Sequence, residues 1–166
     1  VGRLTIAGGT VVSKDISLGR FPESTGELVL VSGELSLADD SLLIGREGVG
    51  TAQISGGSLT ARDIMIATNS TATGTLLVSG GLVNVDSQVV VGGVGATGIV
   101  NVAGGTITVA NATAEGTLLV ENGNVSVNSG SLQVDRLVLT NQTGTITFSG
   151  GTLKTAGTRI DNGRRF

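Results

Sequence analysis

The 166-residue chain lacks several of the residue types on which protein chemistry usually depends. It contains no cysteine, histidine, tyrosine or tryptophan, only three phenylalanines and a single proline. Without cysteine there is no disulfide and no thiolate ligand, and without histidine there is no imidazole base, no histidine metal ligand and no Ser-His-Asp triad. The missing tyrosine and tryptophan leave little to stack on a sugar ring or a nucleobase. These absences argue against an enzyme.

Charge is also scarce. Charged residues make up 14% of the chain, the formal net charge is −3, and no basic run occurs, so nucleic acid is not an expected partner. No apolar run reaches the ~18–20 residues needed to cross a bilayer, so we expect no membrane insertion by this segment. The chain opens at Val1 without a signal-peptide pattern, and we interpret it as a piece of a longer polypeptide.

Glycine, by contrast, is abundant and recurs at a fixed spacing. It accounts for 28 of the 166 residues, a fraction well above the ordinary ~7%. One glycine opens each of seven similar blocks, at spacings of 24 residues four times and then of 25 and 21: Gly2, Gly26, Gly50, Gly74, Gly98, Gly123 and Gly144. The clearest block reads GTLLVSGGLVNVDSQVVVGGVGAT from residue 74. The last copy is incomplete.

Within each copy the apolar residues alternate with period two. In the block from Gly74 the alternating pairs are Leu76 and Val78, Val83 and Val85, and Val89 and Val91. Alternation over short runs rich in β-branched residues is typical of half-buried strands. The pattern predicts three short strands per copy and almost no helix.

Three turns separate the strands of a copy. The first turn carries AGG or SGG, and we expect positive φ at its glycines: Gly8, Gly33, Gly56, Gly80, Gly104 and Gly150. The second carries aspartate in most copies. The third varies in length and is expected to absorb insertions, among which we count residues 110–116.

Three strands per ~24 residues, repeated in phase, predict an all-β fold, a right-handed parallel β-helix of about seven coils. Coils stacked at the strand spacing of ~4.8 Å would form a single column ~34 Å long over residues 1–166. A lone coil buries too little to be stable, so neighbours must cover both faces of its core. Because neither end has a polar cap, we expect the natural chain to continue or its ends to pair with other chains.

The pattern G-T-L-x-V-S-G-G-x-L-x-V, followed by a third strand and a glycine-rich corner, resembles the repeats of secreted bacterial β-helix proteins. Autotransporter passenger domains and surface proteins with a PEP-CTERM sorting tail are the families it is most similar to. The segment TRIDNGRRF, residues 158–166, resembles the opening of a further repeat. The resemblance implies an extracellular or cell-surface location and a structural or adhesive role.

The aspartates of the second corner form one candidate site. Stacked corners would bring successive carboxylates close together: Asp15, Asp39, Asp40, Asp63, Asp86 and Asp135. Such a column could bind Ca²⁺, or serve a polysaccharide lyase or hydrolase of the pectate-lyase kind. Aspartate is equally a turn former, and we expect Lys14, Arg62 and Arg136 to neutralise the aspartates beside them. We favour the turn interpretation and predict no metal and no cofactor.

Two outward strand faces are the other candidates. The second strand presents small polar side chains, as an ice-binding surface would: Ser36, Thr60, Asn84, Thr108 and Gln133, with Thr10, Ser58, Thr106 and Thr152 two positions earlier. The third strand presents an apolar stripe, which is our predicted interface: Leu43, Met65, Val90, Leu119 and Val138. An error of register would exchange the faces, and a long third-corner loop could cover the stripe.

The sequence therefore predicts a rigid, non-catalytic stalk, filament or surface scaffold. Its expected partners are neighbouring repeats, other copies of the chain and cell-surface or matrix polysaccharide. Polysaccharide binding or degradation, ice binding, and self-assembly through open ends are the alternatives.

Overall fold

The computed structural model describes residues 1–140 and 143–160, so the end of the TRIDNGRRF segment, from residue 161, lies outside the described residues. Over these ranges the chain forms strands and no helix, and therefore no helix that is long and apolar enough to cross a membrane. The strands are β1 (Gly2–Val12), β2 (Ile16–Leu18), β3 (Thr25–Ile44), β4 (Val49–Ile54), β5 (Ser58–Ile66), β6 (Thr73–Val78), β7 (Leu82–Val91), β8 (Thr97–Val109), β9 (Thr117–Val120), β10 (Gly123–Leu139), β11 (Thr145–Phe148) and β12 (Thr152–Ile160).

The strands pair in parallel and the chain winds as a right-handed β-solenoid of about six turns, which confirms the predicted fold. Each coil contributes one segment to each of three ladders. The first ladder begins at the repeat glycines, the second follows the first corner, and the third follows the second corner. Some strands run through a corner without interruption, as the 20-residue β3 does.

The repeat glycines lie in register along the first ladder: Gly2, Gly26, Gly50, Gly74, Gly98 and Gly123. From Gly26 onwards they are required by a close approach of the backbone rather than by positive φ, whereas a Cβ on Gly2 would meet no atom within 4 Å. A Cβ on Gly26 would lie 2.6 Å from the backbone nitrogen of Gly19 and 2.7 Å from the Cα of Leu18. Glycine at this position therefore allows the first strand of each coil to start in close contact with the beginning of the preceding third corner, as Gly26 does beside Gly19.

The core is a stack of aliphatic side chains, about six from each coil, as the alternation predicts. The inward residues of the second coil, all fully buried, are Leu28, Leu30, Leu35, Leu37, Leu42 and Ile44. The columns are almost entirely Leu, Ile and Val, and Ala52 is a smaller residue between Leu28 and Leu76. The ladder hydrogen bonds set the spacing of successive coils, and the side chains fill the space between them.

The glycines of the first corner differ in part from the prediction. Gly8 and Gly33 have positive φ, but φ at Gly56, Gly80, Gly104 and Gly150 lies outside that region. In three of these copies the following glycine turns the chain instead: Gly57 at 73°, Gly81 at 71° and Gly151 at 75°. The first glycine of each pair passes close to a carbonyl of the preceding coil, as Gly80 does to the oxygen of Ser55.

The insertion at residues 110–116 was assigned to the wrong corner. Residues 110–116 join β8 to β9, so they lie at the second corner, between the second and third ladders. The third corner does vary in length, since it comprises residues 19–24, 45–48, 67–72 and 92–96 in successive coils. These differences shape the surface described below.

Candidate functional site

The five residues of the predicted interface lie in one column on the outward face of the third ladder. Leu43 pairs with Met65, which pairs with Val90, then Leu119 and Val138. The column, which we call the apolar stripe, spans four strand spacings, or ~19 Å. Four of its members are half-buried and Val90 is 7% exposed, so the stripe is less exposed than the sequence suggested.

Polar residues border the apolar stripe. The adjacent outward column contains Ser41, Asp63, Gln88, Thr117 and Arg136. Ser17 and Arg159 occupy the stripe's own column at its two ends. The stripe is thus a narrow apolar strip bordered by polar and charged side chains.

The aspartates of the second corner do not gather into a metal site. Within residues 1–140 and 143–160 there is no group of three or more acidic residues that could hold a metal ion. Asp63 lies in register with Ser41 and Gln88 rather than with another aspartate. It is 8% exposed, with one oxygen 3.3 Å from Nε of Arg62 and the other, Oδ1, buried without a hydrogen-bond partner.

Asp135 holds the two ends of the inserted loop, residues 110–116, in place. Its Oδ2 accepts hydrogen bonds from the backbone N–H groups of Asn111, at 3.1 Å, and Gly116, at 3.0 Å. Arg136, which we expected to neutralise the aspartate column, instead pairs with Glu115 at 3.4 Å. The sequence could not reveal this because Glu115 reaches Arg136 only across neighbouring coils.

The same loop uses its polar side chains internally. Oδ1 of Asn111 accepts from the backbone N–H and the hydroxyl of Thr113, at 3.0 and 2.8 Å, and from the N–H of Glu115 at 3.1 Å. The amide of Asn111 donates to the carbonyl of Asp86 at 2.9 Å. These groups hold the loop in shape and are not available to a ligand.

The second ladder presents its small polar side chains in the predicted register. One outward column runs through Ser36, Thr60, Asn84, Thr108 and Gln133, and the other through Thr10, Glu34, Ser58, Leu82, Thr106, Ser131 and Thr152. Glu34 and the 38% exposed Leu82 interrupt the second column. The hydroxyl surface is therefore broken within its first four rungs.

A concave site lies at the third corner, where the sequence analysis predicted none. Residues 45–48 form a shorter corner than residues 19–24 before them and 67–72 after them. The difference leaves a cavity of about 540 Å³, the corner notch, lined by Pro22, Glu47, Thr68, Asn69, Ser70 and Thr71. The spacing of the repeat glycines could not reveal the short corner, GREG from residue 45, because it stays at 24 residues on both sides of it.

The apolar stripe and the corner notch are surface features of the described residues, and the buried Asp63 pairs with Arg62. A scan against protein-family models, a search of curated proteins and a search of solved structures each found no match for this chain.

Proposed function

We propose that the chain is a non-catalytic shaft segment of a bacterial extracellular or cell-surface protein, with a structural or adhesive role. The observation that supports this most is the combination of three parallel ladders with an aliphatic core that runs the length of the solenoid. Such a column has main-chain hydrogen bonds between all successive coils. It therefore holds its shape without disulfides or metals.

The cooperativity of the shaft can be measured by pulling on it. Because the chain has no cysteine, Thr5→Cys and Thr152→Cys, both at exposed positions, provide unique attachment points for single-molecule force spectroscopy. Each coil is stabilised by its neighbours, so we expect unfolding in a few abrupt events that each release several coils. Gradual lengthening at low force would contradict the proposed structural role.

We further propose that the apolar stripe is where a second copy of the chain packs. A flat sheet face is complementary to an identical face, and facing sheets pack ~10 Å apart. The stripe carries no charge along its five members, from Leu43 to Val138. Side-by-side packing of shafts would cover the stripe and leave the hydroxyl-bearing second ladder in solvent.

Self-association tests this packing. In sedimentation velocity we expect the wild-type chain to form a concentration-dependent dimer, and the variant Met65→Lys/Leu119→Lys to remain monomeric because two charges would be buried. The matched control, Thr60→Lys/Thr108→Lys on the second ladder of the same coils, should dimerise like the wild type. A wild-type chain that stays monomeric at high concentration would rule the stripe out as a contact between copies.

A further inference from the structure

We infer that the corner notch is a binding site for a neutral saccharide. Its volume of about 540 Å³ lies within the ~300–1,000 Å³ typical of small-molecule sites. Pro22 contributes one wall, Glu47 of the short corner contributes the middle, and residues 68–71 contribute the other wall. The inference does not depend on the shaft proposal, since three neighbouring corners form the whole site.

Backbone hydrogen bonds hold both walls in place. In the first, the backbone N–H and the hydroxyl of Ser24 donate to the carbonyl of Phe21, at 3.1 and 2.7 Å. In the second, the N–H of Ala72 donates to the carbonyl of Asn69 at 3.2 Å. Ala67, Ala72 and Ala96 form a small buried cluster of their own beneath that wall. The notch is therefore pre-formed and needs little ordering on binding.

Backbone strain is concentrated around the notch. The described residues include four non-glycine residues with positive φ, and three of them lie in the flanking corners: Glu23 at 61°, Ala67 at 51° and Thr71 at 69°. A β-branched residue in this region is unusual, and such strain persists only where the surroundings enforce it. The N–H of Thr71 donates to the carbonyl of Gly95 at 2.9 Å, which fixes the strained residue at the rim.

The polar side chains of the notch have no hydrogen-bond partner among the residues that the structure describes. Those of Glu47, Thr68, Asn69, Ser70 and Thr71 make no hydrogen bond to any other described residue. The inserted loop at residues 110–116, by contrast, satisfies its asparagine and threonine internally. Hydroxyl and amide groups can each donate and accept, which is the pairing that sugar hydroxyls require.

Apolar surface beside the notch suits the C–H face of a sugar ring. The ring of Pro22 lines the cavity, and the neighbouring Phe21 is 62% exposed. The guanidinium of Arg20 lies 5.4 Å from the centroid of the Phe21 ring. Glu47 is the one charged group in the lining, so an anionic ligand would meet repulsion, while a divalent cation would find too few carboxylates.

Titration by ¹⁵N–¹H NMR tests the site. The probes are glucose, galactose, mannose, N-acetylglucosamine and maltose, added separately up to about 50 mM, well above a weak Kd of ~1 mM. We expect at least one sugar to shift the amide signals of residues 21, 23, 24, 47 and 68–71 and no others; Pro22 has no amide N–H to report. Asn69→Ala should weaken that binding at least about tenfold, the equivalent of one well-made hydrogen bond.

The control is Asn124→Ala, on the exposed outward face of the first ladder, which should bind like the wild type. No shift with any of the five sugars, or shifts of the same size outside the notch, would overturn the inference. So would an Asn69→Ala variant that keeps the wild-type spectrum and the wild-type affinity. None of these outcomes affects the result expected from force spectroscopy, so the saccharide site and the shaft role can be refuted independently.

Discussion

Replacing Gly80 with valine is expected to destabilise the chain by about 3 kcal/mol, the upper part of the range for overpacked interiors. A Cβ at this position would collide with the backbone carbonyl oxygen of Ser55 in the preceding coil. Ser55 lies in the tight corner between β4 and β5, where its carbonyl cannot rotate aside as a flexible side chain can. The two coils would have to separate locally, and main-chain hydrogen bonds would be lost with them.

Urea denaturation followed by far-ultraviolet circular dichroism measures this effect. The matched control is Gly2→Val, because a Cβ on Gly2 has no neighbouring atom within 4 Å and φ at Gly2 is not positive. We expect the control to stay within about 0.5 kcal/mol of the wild type. If Gly80→Val unfolded at the wild-type urea midpoint, the close stacking of the first corners would be wrong.

Leu59→Ala is expected to cost about 3 kcal/mol, in the middle of the range for buried leucines. Leu59 is fully buried and lies between Leu35 and Val83 in the second ladder. Removing its branched end leaves a cavity that rigid neighbouring coils cannot collapse to fill. Because coupling between coils is between nearest neighbours, amide exchange should accelerate first in the second to fourth coils.

The control for Leu59→Ala is Leu82→Ala in the same ladder. Leu82 faces outward and is 38% exposed, so its truncation should cost less than about 1 kcal/mol. Equal losses of stability for the two variants would contradict the assignment of inward and outward residues on which the core rests.

The fold could be predicted from sequence because its determinants are local and repeated. Alternation at Leu76 and Val78, copied in every block, identifies the inward face, and the spacing of Gly50 and Gly74 predicts the register. A single strand would leave the register open. Seven copies in phase leave only one register in which every apolar column is continuous, and the structure confirms it.

Features that depend on contacts between coils were harder to predict. Gly80 is required by the carbonyl of Ser55, twenty-five residues earlier in the chain, and not by its own φ. Arg136 pairs with Glu115, although its position beside Asp135 in the sequence suggested that it would neutralise the aspartates. The corner notch arises from a difference in length between three successive corners, which no single repeat contains.

The register of the glycines also constrains how such a gene can change. Removing residues 50–73, one whole period, would place Gly74 beside Gly26 and shorten the solenoid by one coil while keeping the register of the remaining ladders. A deletion of an odd number of residues within a strand would turn its downstream apolar residues towards solvent. Unequal recombination between copies would therefore yield folded proteins with different numbers of coils. Deletions of an odd number of residues inside a strand would be removed by selection.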